Sequence, residues 1–107
     1  MKRFGQLIGV KPEAFDEYVK YHADVWPGVL KMIYDCNIRN YSIFHHNGLL
    51  FAYFEYVGDD FEADMAKMAA DPETQSWWDI TMPMQTPLET RAEGEWWADM
   101  QEVFHTD

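Results

Sequence analysis

The chain has 107 residues, enough for a single domain spanning residues 1–107, and its hydrophobic (48%) and aromatic (17%) fractions are high for a small monomer. Because a short chain buries a limited share of its surface, this excess predicts either a pocket lined with rings or a second copy covering one face. The net charge is −11, with five acidic and six basic residues up to Phe54 and 14 acidic and two basic residues from Glu55 onward. This charge disfavours nucleic acid, anionic membranes and polyanionic substrates as partners. It is compatible with a neutral ligand such as a sugar.

The first predicted element is a strand, Phe4–Val10. Alternate residues point to the same face, so Phe4, Gln6, Ile8 and Val10 share one face and Gly5 and Gly9 lie on the other. The apolar stretch is interrupted by Gly9 and Lys11, so it is too short for a signal peptide or a membrane span. The only cysteine, Cys36, excludes an intrachain disulfide and favours a reducing compartment. We therefore expect a soluble cytoplasmic protein.

A helix is predicted to open at Pro12, because apolar residues recur at three- and four-residue intervals from Phe15 to Ile33. Pro27 interrupts this pattern, since its ring clashes with the carbonyl four residues earlier. We expect a kink or a break there, with a second helical segment running to about Asp35.

Three aromatic side chains recur every four residues in the first helix, namely Tyr18, His22 and Trp26. This spacing predicts that they stack on one helix face and form a pocket wall from a hydroxyl, an imidazole and an indole. The alternative is that His22 is an interior histidine with its hydrogen bonds satisfied, because a helix face is usually core.

A β-hairpin is predicted from the strands Asn40–His46 and Leu49–Val57, which are joined by the turn Asn47-Gly48. A two-residue loop fixes the register of the strands. The predicted cross-strand pairs include His46 with Leu49 and Tyr41 with Phe54.

The second hairpin strand is apolar on both faces, with Glu55 as its one charge. Such a strand needs cover on both sides. Two helices in so short a chain can cover one face only, so we expect a second subunit on the other face.

Two further helices are predicted, Asp59–Ala70 and Pro72–Met82, followed by an irregular acidic segment at Glu89–Asp99 and a last strand at Met100–His105. The order β-α-β-β-α-β predicts an α+β fold of the ferredoxin-like kind, a four-stranded antiparallel sheet with helices on one face.

Motifs for metal binding or nucleophilic catalysis are missing from the sequence. His45 and His46 are neighbours on a strand and point to opposite faces, so they cannot chelate one ion. Cys36 has no histidine near it in sequence, and neither a GxSxG motif nor a glycine-rich phosphate loop is present. We expect no metal site.

Two tandem indole pairs, Trp77-Trp78 and Trp96-Trp97, are candidates for ligand contact. Neighbours on a helix diverge by about 100°, so one ring of a pair packs inward while the other faces a cleft or a partner. A flat indole suits the C–H face of a sugar, and core or interface packing is the alternative.

The ordered set of motifs resembles the L-rhamnose mutarotase family over residues 3–105. The matching pieces are Tyr18-x3-His22-x3-Trp26-Pro27, Asn40-Tyr41-Ser42-Ile43, Leu50-Phe51-Ala52, Trp77-Trp78 and Glu102-Val103-Phe104.

This resemblance implies a homodimeric α/β barrel in which two ferredoxin-like sheets pack face to face. It implies a sugar mutarotase that interconverts the pyranose anomers of L-rhamnose or a related 6-deoxysugar without a cofactor. It also implies that His22 is the proton donor and that Tyr18, Tyr41, Trp77 and Trp78 bind the sugar. The segment Thr86–Asp99 departs from the family pattern by its length and acidity, and we expect it to influence which sugar fits.

Two other functions use the same residues. A cofactor-free oxygenase of the dimeric-barrel kind would place His22 and the tryptophans in an apolar pocket for an aromatic substrate. A sugar-binding dimer without catalytic activity would use the same stacking surfaces.

Overall fold

The computed structural model describes residues 1–107 and has an α+β fold in which four helices pack against one antiparallel sheet. Short 3₁₀ turns lie at Pro12–Ala14 and Met82–Met84. The strands and helices, in chain order, are β1 (Lys2–Val10), α1 (Phe15–His22), α2 (Pro27–Asp35), β2 (Ile38–His46), β3 (Leu49–Tyr56), α3 (Phe61–Ala70), α4 (Pro72–Thr81), β4 (Gln85–Thr86) and β5 (Ala98–Met100). None of these helices has the length and apolar character needed to cross a membrane.

The sheet has the strand order β2-β3-β1-β4, and β5 also pairs with β1. The fourth position of the ferredoxin-like sheet is therefore divided between two short strands on the same edge of β1. Strand β4 pairs with Gly9 and Val10, whereas β5 pairs with the segment from Gly5 to Leu7. The predicted ferredoxin-like arrangement is confirmed, with the residues between β4 and β5 looping out from this edge.

The prediction of a last strand at Met100–His105 is wrong. Pairing with β1 covers Ala98–Met100, and the residues after Met100 have no regular structure. Val103 is 89% exposed, so the apolar residues of this tail find no face of the single chain on which to be buried. The tail stays beside β1 through an ion pair in which Arg3 Nε lies 2.8 Å from Glu102 Oε1.

The helices cover one face of the sheet, which carries Ile8, Leu50 and Phe54. Burial alternates strictly along β3, as expected for a strand with helices on one side. Two apolar clusters form this core. The first contains Ile8, Val10, Tyr18, Leu50 and Met84, and the second contains Ile38, Phe54 and Tyr56 with Phe61, Met65 and Met68 of α3 packed against it.

The opposite side of the sheet, here called the outer face, is also apolar. Its central row is Leu7, Phe51 and Phe44, which are paired across β1, β3 and β2. Leu7 and Phe51 are half-buried, whereas Phe44 is 64% exposed. Neither core cluster contains any of these side chains, so no helix of the chain covers them.

The hairpin forms as the turn chemistry predicts, and the pair His46–Leu49 is confirmed. The predicted one-to-one pair of Tyr41 with Phe54 is wrong because the register shifts between Arg39 and Ser42. Asn40 takes a left-handed φ of 51°, so Asn40 and Tyr41 together oppose Phe54 in a β-bulge. The Tyr41 and Phe54 rings still approach with centroids 5.5 Å apart.

The break at Pro27 is confirmed, and it is wider than a kink. Helix α1 ends at His22, and α2 starts at Pro27 with Trp26 as its N-cap residue. Tyr18 and His22 therefore share a helix face, but the prediction that Trp26 belongs to the same face of that helix is wrong. The reason is that Trp26 precedes proline, a position that disfavours helical backbone, and its ψ is 134°.

Candidate active site

His22 lies at the last turn of α1 and is held by the residue one turn earlier. Its ring stacks on that of Tyr18 with centroids 4.2 Å apart, and its Nδ1 lies 2.7 Å from the Tyr18 backbone carbonyl oxygen. A carbonyl oxygen only accepts hydrogen bonds, so Nδ1 must carry a proton and donate it. In the neutral imidazole Nε2 is therefore the bare nitrogen, available to accept a proton.

The environment of His22 favours this neutral form. Burial lowers the pKa of His22 below its ordinary value of 6.5, and the hydrogen bond to the Tyr18 carbonyl opposes that shift in part. No protein group bonds to Nε2, and no buried side-chain nitrogen or oxygen in the structure lacks a partner. Nε2 thus remains open to solvent or a ligand.

Trp77 is the aromatic centre around which the His22 side chain is packed. The Trp77 ring meets His22 edge-on with centroids 5.3 Å apart and Trp26 edge-on at 5.2 Å. Tyr21 approaches it in the same manner at 5.9 Å. Trp26 thus joins the cluster through Trp77 rather than through the α1 face on which it was predicted.

The neighbouring Trp78 is half-buried, while Trp77 is 6% exposed. This difference agrees with the divergence expected of adjacent residues on α4. Neither indole N–H is bonded to the protein, and neither is a buried unpaired atom, so both are open to a ligand acceptor.

Tyr41 lies on the helix side of the sheet, where its ring packs against that of buried Phe54. Although the residue is 42% exposed, the protein surrounding its hydroxyl raises the pKa of Tyr41 to about 12 through burial, with a smaller effect of Tyr18. At neutral pH this phenol is a hydrogen-bond donor rather than an ionised base.

The Tyr18 hydroxyl is hydrogen-bonded to Gln85, which is itself hydrogen-bonded to Trp96, and no sequence pattern predicted this network. Gln85 Nε2 lies 3.0 Å from Tyr18 Oη, and Trp96 Nε1 lies 2.7 Å from Gln85 Oε1. Burial raises the pKa of Tyr18, and the Gln85 hydrogen bond opposes that shift. The tandem indoles pointed to Trp96, whereas no sequence signal marked Gln85.

The other histidines have different surroundings. His45 stacks on Phe15 with centroids 4.0 Å apart, and its Nε2 accepts the Gly48 N–H at 3.2 Å. His105 pairs with Asp107 in the C-terminal tail. The structure groups no three His, Cys, Asp or Glu side chains in a way that would hold a metal ion. Among the histidines, only His22 joins the Tyr18–Trp77 cluster.

Comparisons with known proteins point to one family. The family model described as L-rhamnose mutarotase matches residues 3–106. An L-rhamnose mutarotase from Lactiplantibacillus plantarum is 35% identical over 109 residues, covering all of both chains. One from Oceanobacillus iheyensis is 33% identical over 115 residues, again covering all of both chains.

Solved structures agree at the level of fold. The crystal structure of an L-rhamnose mutarotase from Formosa agariphila matches with a TM-score of 0.79 at 20% identity over the whole of both chains. Tetracenomycin F2 cyclase from Streptomyces glaucescens, a type-II polyketide cyclase, matches with a TM-score of 0.71 at 14% identity, also over both whole chains. On the full-length sequence matches, the chain belongs to the L-rhamnose mutarotase family.

Proposed function

We propose that this protein is a sugar mutarotase that interconverts the α and β pyranose anomers of L-rhamnose or a related 6-deoxysugar. Membership of the family makes it a carbohydrate isomerase. The observation that carries the proposal is the open Nε2 of His22, set on a side chain that Tyr18 and Trp77 hold in place. No cofactor takes part in the proposed reaction.

His22 acts as the proton shuttle. Neutral Nε2 removes the proton of the anomeric hydroxyl, the electron pair of that O–H bond becomes the second bond of an aldehyde carbonyl, and the bond between the anomeric carbon and the ring oxygen breaks. The imidazolium returns the proton to the ring oxygen. Both oxygens are bonded to the same carbon, so one nitrogen reaches both without a second acid.

The open-chain sugar then rotates about the bond beside its aldehyde, and the reverse steps close the ring on the other face. Protons balance, because His22 ends neutral. General acid–base help is worth about 10²–10⁴-fold, which is sufficient for a reaction that already proceeds unaided in water.

Sugar binding is proposed to involve Tyr18, Tyr41, Trp77 and Trp78. In support, the Tyr41 hydroxyl and both indole N–H groups have no partner in the protein. The half-buried ring of Trp78 leaves an apolar surface for the C–H face of a pyranose. A neutral sugar also approaches the chain's net charge of −11 without repulsion.

A homodimer is proposed to cover the outer face of the sheet. Phe44 and Phe51 lie side by side there without a helix over them, and exposed contiguous apolar surface of this kind marks an interface. Two copies meeting by this face would form the α/β barrel implied by the resemblance. We further propose that the protein acts as a single domain in the cytoplasm, where the lone buried thiol of Cys36 stays reduced.

Saturation-transfer NMR between anomers tests this function across a panel of L- and D-sugars. We expect added protein to accelerate exchange of L-rhamnose or a related 6-deoxysugar. Calorimetric binding without faster exchange would instead identify a sugar-binding dimer. Oxygen uptake with an aromatic substrate, and no effect on any anomer, would identify the cofactor-free oxygenase.

A further inference from the structure

A chain of hydrogen bonds runs from the loop between β4 and β5 to the candidate site. Trp96 Nε1 bonds to Gln85 Oε1 at 2.7 Å, and Gln85 Nε2 bonds to Tyr18 Oη at 3.0 Å. Gln85 is 6% exposed and Tyr18 4% exposed, so the central link is shielded from water. A shielded link of this kind holds its geometry, because no water competes for its donors and acceptors.

The chemistry of the three groups fixes the direction of each bond. An indole N–H can only donate, so the oxygen of the Gln85 amide must face Trp96 and its nitrogen must face Tyr18. The amide nitrogen can likewise only donate, so the Tyr18 oxygen accepts this bond. The proton of the Tyr18 hydroxyl is thereby left for a different acceptor.

The fold explains how these residues meet. Gln85 starts β4 and pairs with Val10, which places it beside the buried end of β1. The chain then loops out and returns to β1 at Ala98. Trp96 lies just before this return and packs against the apolar cluster that contains Tyr18. The loop thus supplies the donor that holds the Gln85 amide in one orientation.

We propose that Gln85, held by Trp96, is a positioning residue that fixes the Tyr18 hydroxyl as a hydrogen-bond donor to an acceptor oxygen of the sugar. The inference rests on the proposed function and deepens it. It assigns the loop between β4 and β5 a role in selecting sugars that present an oxygen to Tyr18. It also gives Tyr18 and His22 different tasks, donation by the first and proton transfer by the second.

The decisive variant is Gln85→Glu, which keeps the shape of the side chain and changes only its hydrogen-bonding capacity. An ionised carboxylate has no proton to donate. It therefore accepts a hydrogen bond from the Tyr18 hydroxyl, which reverses the direction of that bond. A protonated carboxyl donates one bond and accepts another, as the amide does. The ratio of variant to parent exchange should therefore be near one at acidic pH and fall about three- to tenfold as the new carboxyl ionises. Taking the ratio divides out the part of the His22 titration that both proteins share. Fitting the acid limb of each profile separately then measures any rise in the His22 pKa that the new carboxylate causes through the stacked Tyr18 ring.

Trp96→Phe and Trp97→Phe form the matched pair, since both indoles pack against the same cluster and only Trp96 bonds to Gln85. We expect Trp96→Phe to lower exchange while leaving the acid limb of the pH profile unmoved, and Trp97→Phe to exchange like the parent. Hydrogen exchange followed by NMR on the folded parent adds a measurement that does not depend on activity. We expect the Trp96 indole N–H to exchange slowly with solvent.

The outcomes separate the two proposals. A parent that exchanges sugar anomers, with a flat Gln85→Glu ratio and equal effects of the two tryptophan variants, would overturn the positioning role and leave the mutarotase function standing. Rapid solvent exchange of the Trp96 N–H would overturn it as well. A folded parent with a protected Trp96 N–H and no effect on any sugar would overturn the proposed function, and with it the role toward sugar.

Discussion

The Tyr18 carbonyl oxygen accepts the Nδ1 proton of His22 while the two rings stack 4.2 Å apart. One residue thus sets both the tautomer and the orientation of the imidazole. Because the two residues are four apart on α1, their contact is local to the helix. With Nδ1 bonded to the helix backbone, the unprotonated Nε2 points away from that backbone and can accept a proton.

His22→Gln should lower catalysed anomer exchange by roughly 10²-fold or more, because the proton shuttle is lost. Burial lowers the pKa of His22 below 6.5, so the active neutral form persists below that pH. Exchange by the parent should be constant near neutrality and fall as the pH drops through the lowered pKa. Saturation transfer at several pH values measures both effects. A parental rate in the folded variant would remove this role, whereas a midpoint above 6.5 would contradict only the lowering of the His22 pKa by burial.

The same shift predicts a stability change with pH. The unfolded chain binds a proton at His22 more readily than the folded chain, so unfolding becomes easier as the pH falls from 6.5 through the lowered pKa. Urea unfolding of parent and His22→Gln at matched pH values tests this. Their difference in unfolding free energy should change over that window and be constant above it.

Tyr18→Phe should destabilise the fold as well as weaken sugar binding. Without the Tyr18 oxygen, the Gln85 amide nitrogen stays buried and unpaired, which costs about 1–3 kcal/mol. Chemical denaturation measures this cost. Tyr41→Phe is the control, since the Tyr41 hydroxyl has no protein partner and its removal should leave stability close to that of the parent. Equal stabilities of all three proteins would contradict the Gln85 bond.

The two adjacent indoles of α4 should respond differently to truncation. Trp77→Ala removes the ring that packs His22, Trp26 and Tyr21, so a loss of about 3–5 kcal/mol in unfolding free energy is expected. Trp78→Ala should cost little stability and weaken sugar binding by about 1–3 kcal/mol. Calorimetry, supported by quenching of tryptophan emission, measures the binding. Parental affinity in a folded Trp78→Ala protein would exclude stacking by that ring.

Phe44→Asp should convert the proposed dimer to a monomer, because it introduces a charge opposite Phe51 on the outer face. Leu30→Asp is the matched control on α2, where Leu30 is 53% exposed on the helix side. Sedimentation at micromolar concentration should show a dimer for the parent and the control. A parent that sediments as a 12.7 kDa monomer would refute the dimer.

The sequence determined the features that depend on neighbouring residues. Asn47-Gly48 set the hairpin turn, Pro27 separated α1 from α2, and the four-residue spacing placed His22 over Tyr18. Each follows from backbone sterics or helix geometry within a few residues. The resemblance to the family likewise follows from ordered motifs along the chain, and the full-length matches confirm it.

Only the tertiary structure decided which distant residues support the site. Gln85 and Tyr18 are 67 residues apart in sequence, and no periodicity relates them. The division of the fourth sheet position between β4 and β5 brings Gln85 and Trp96 together, while Trp77 gathers Trp26 and His22 from separate segments. Such contacts arise because burial and hydrogen-bond satisfaction act on the packed chain as a whole, whereas local patterns report only which face each residue can present.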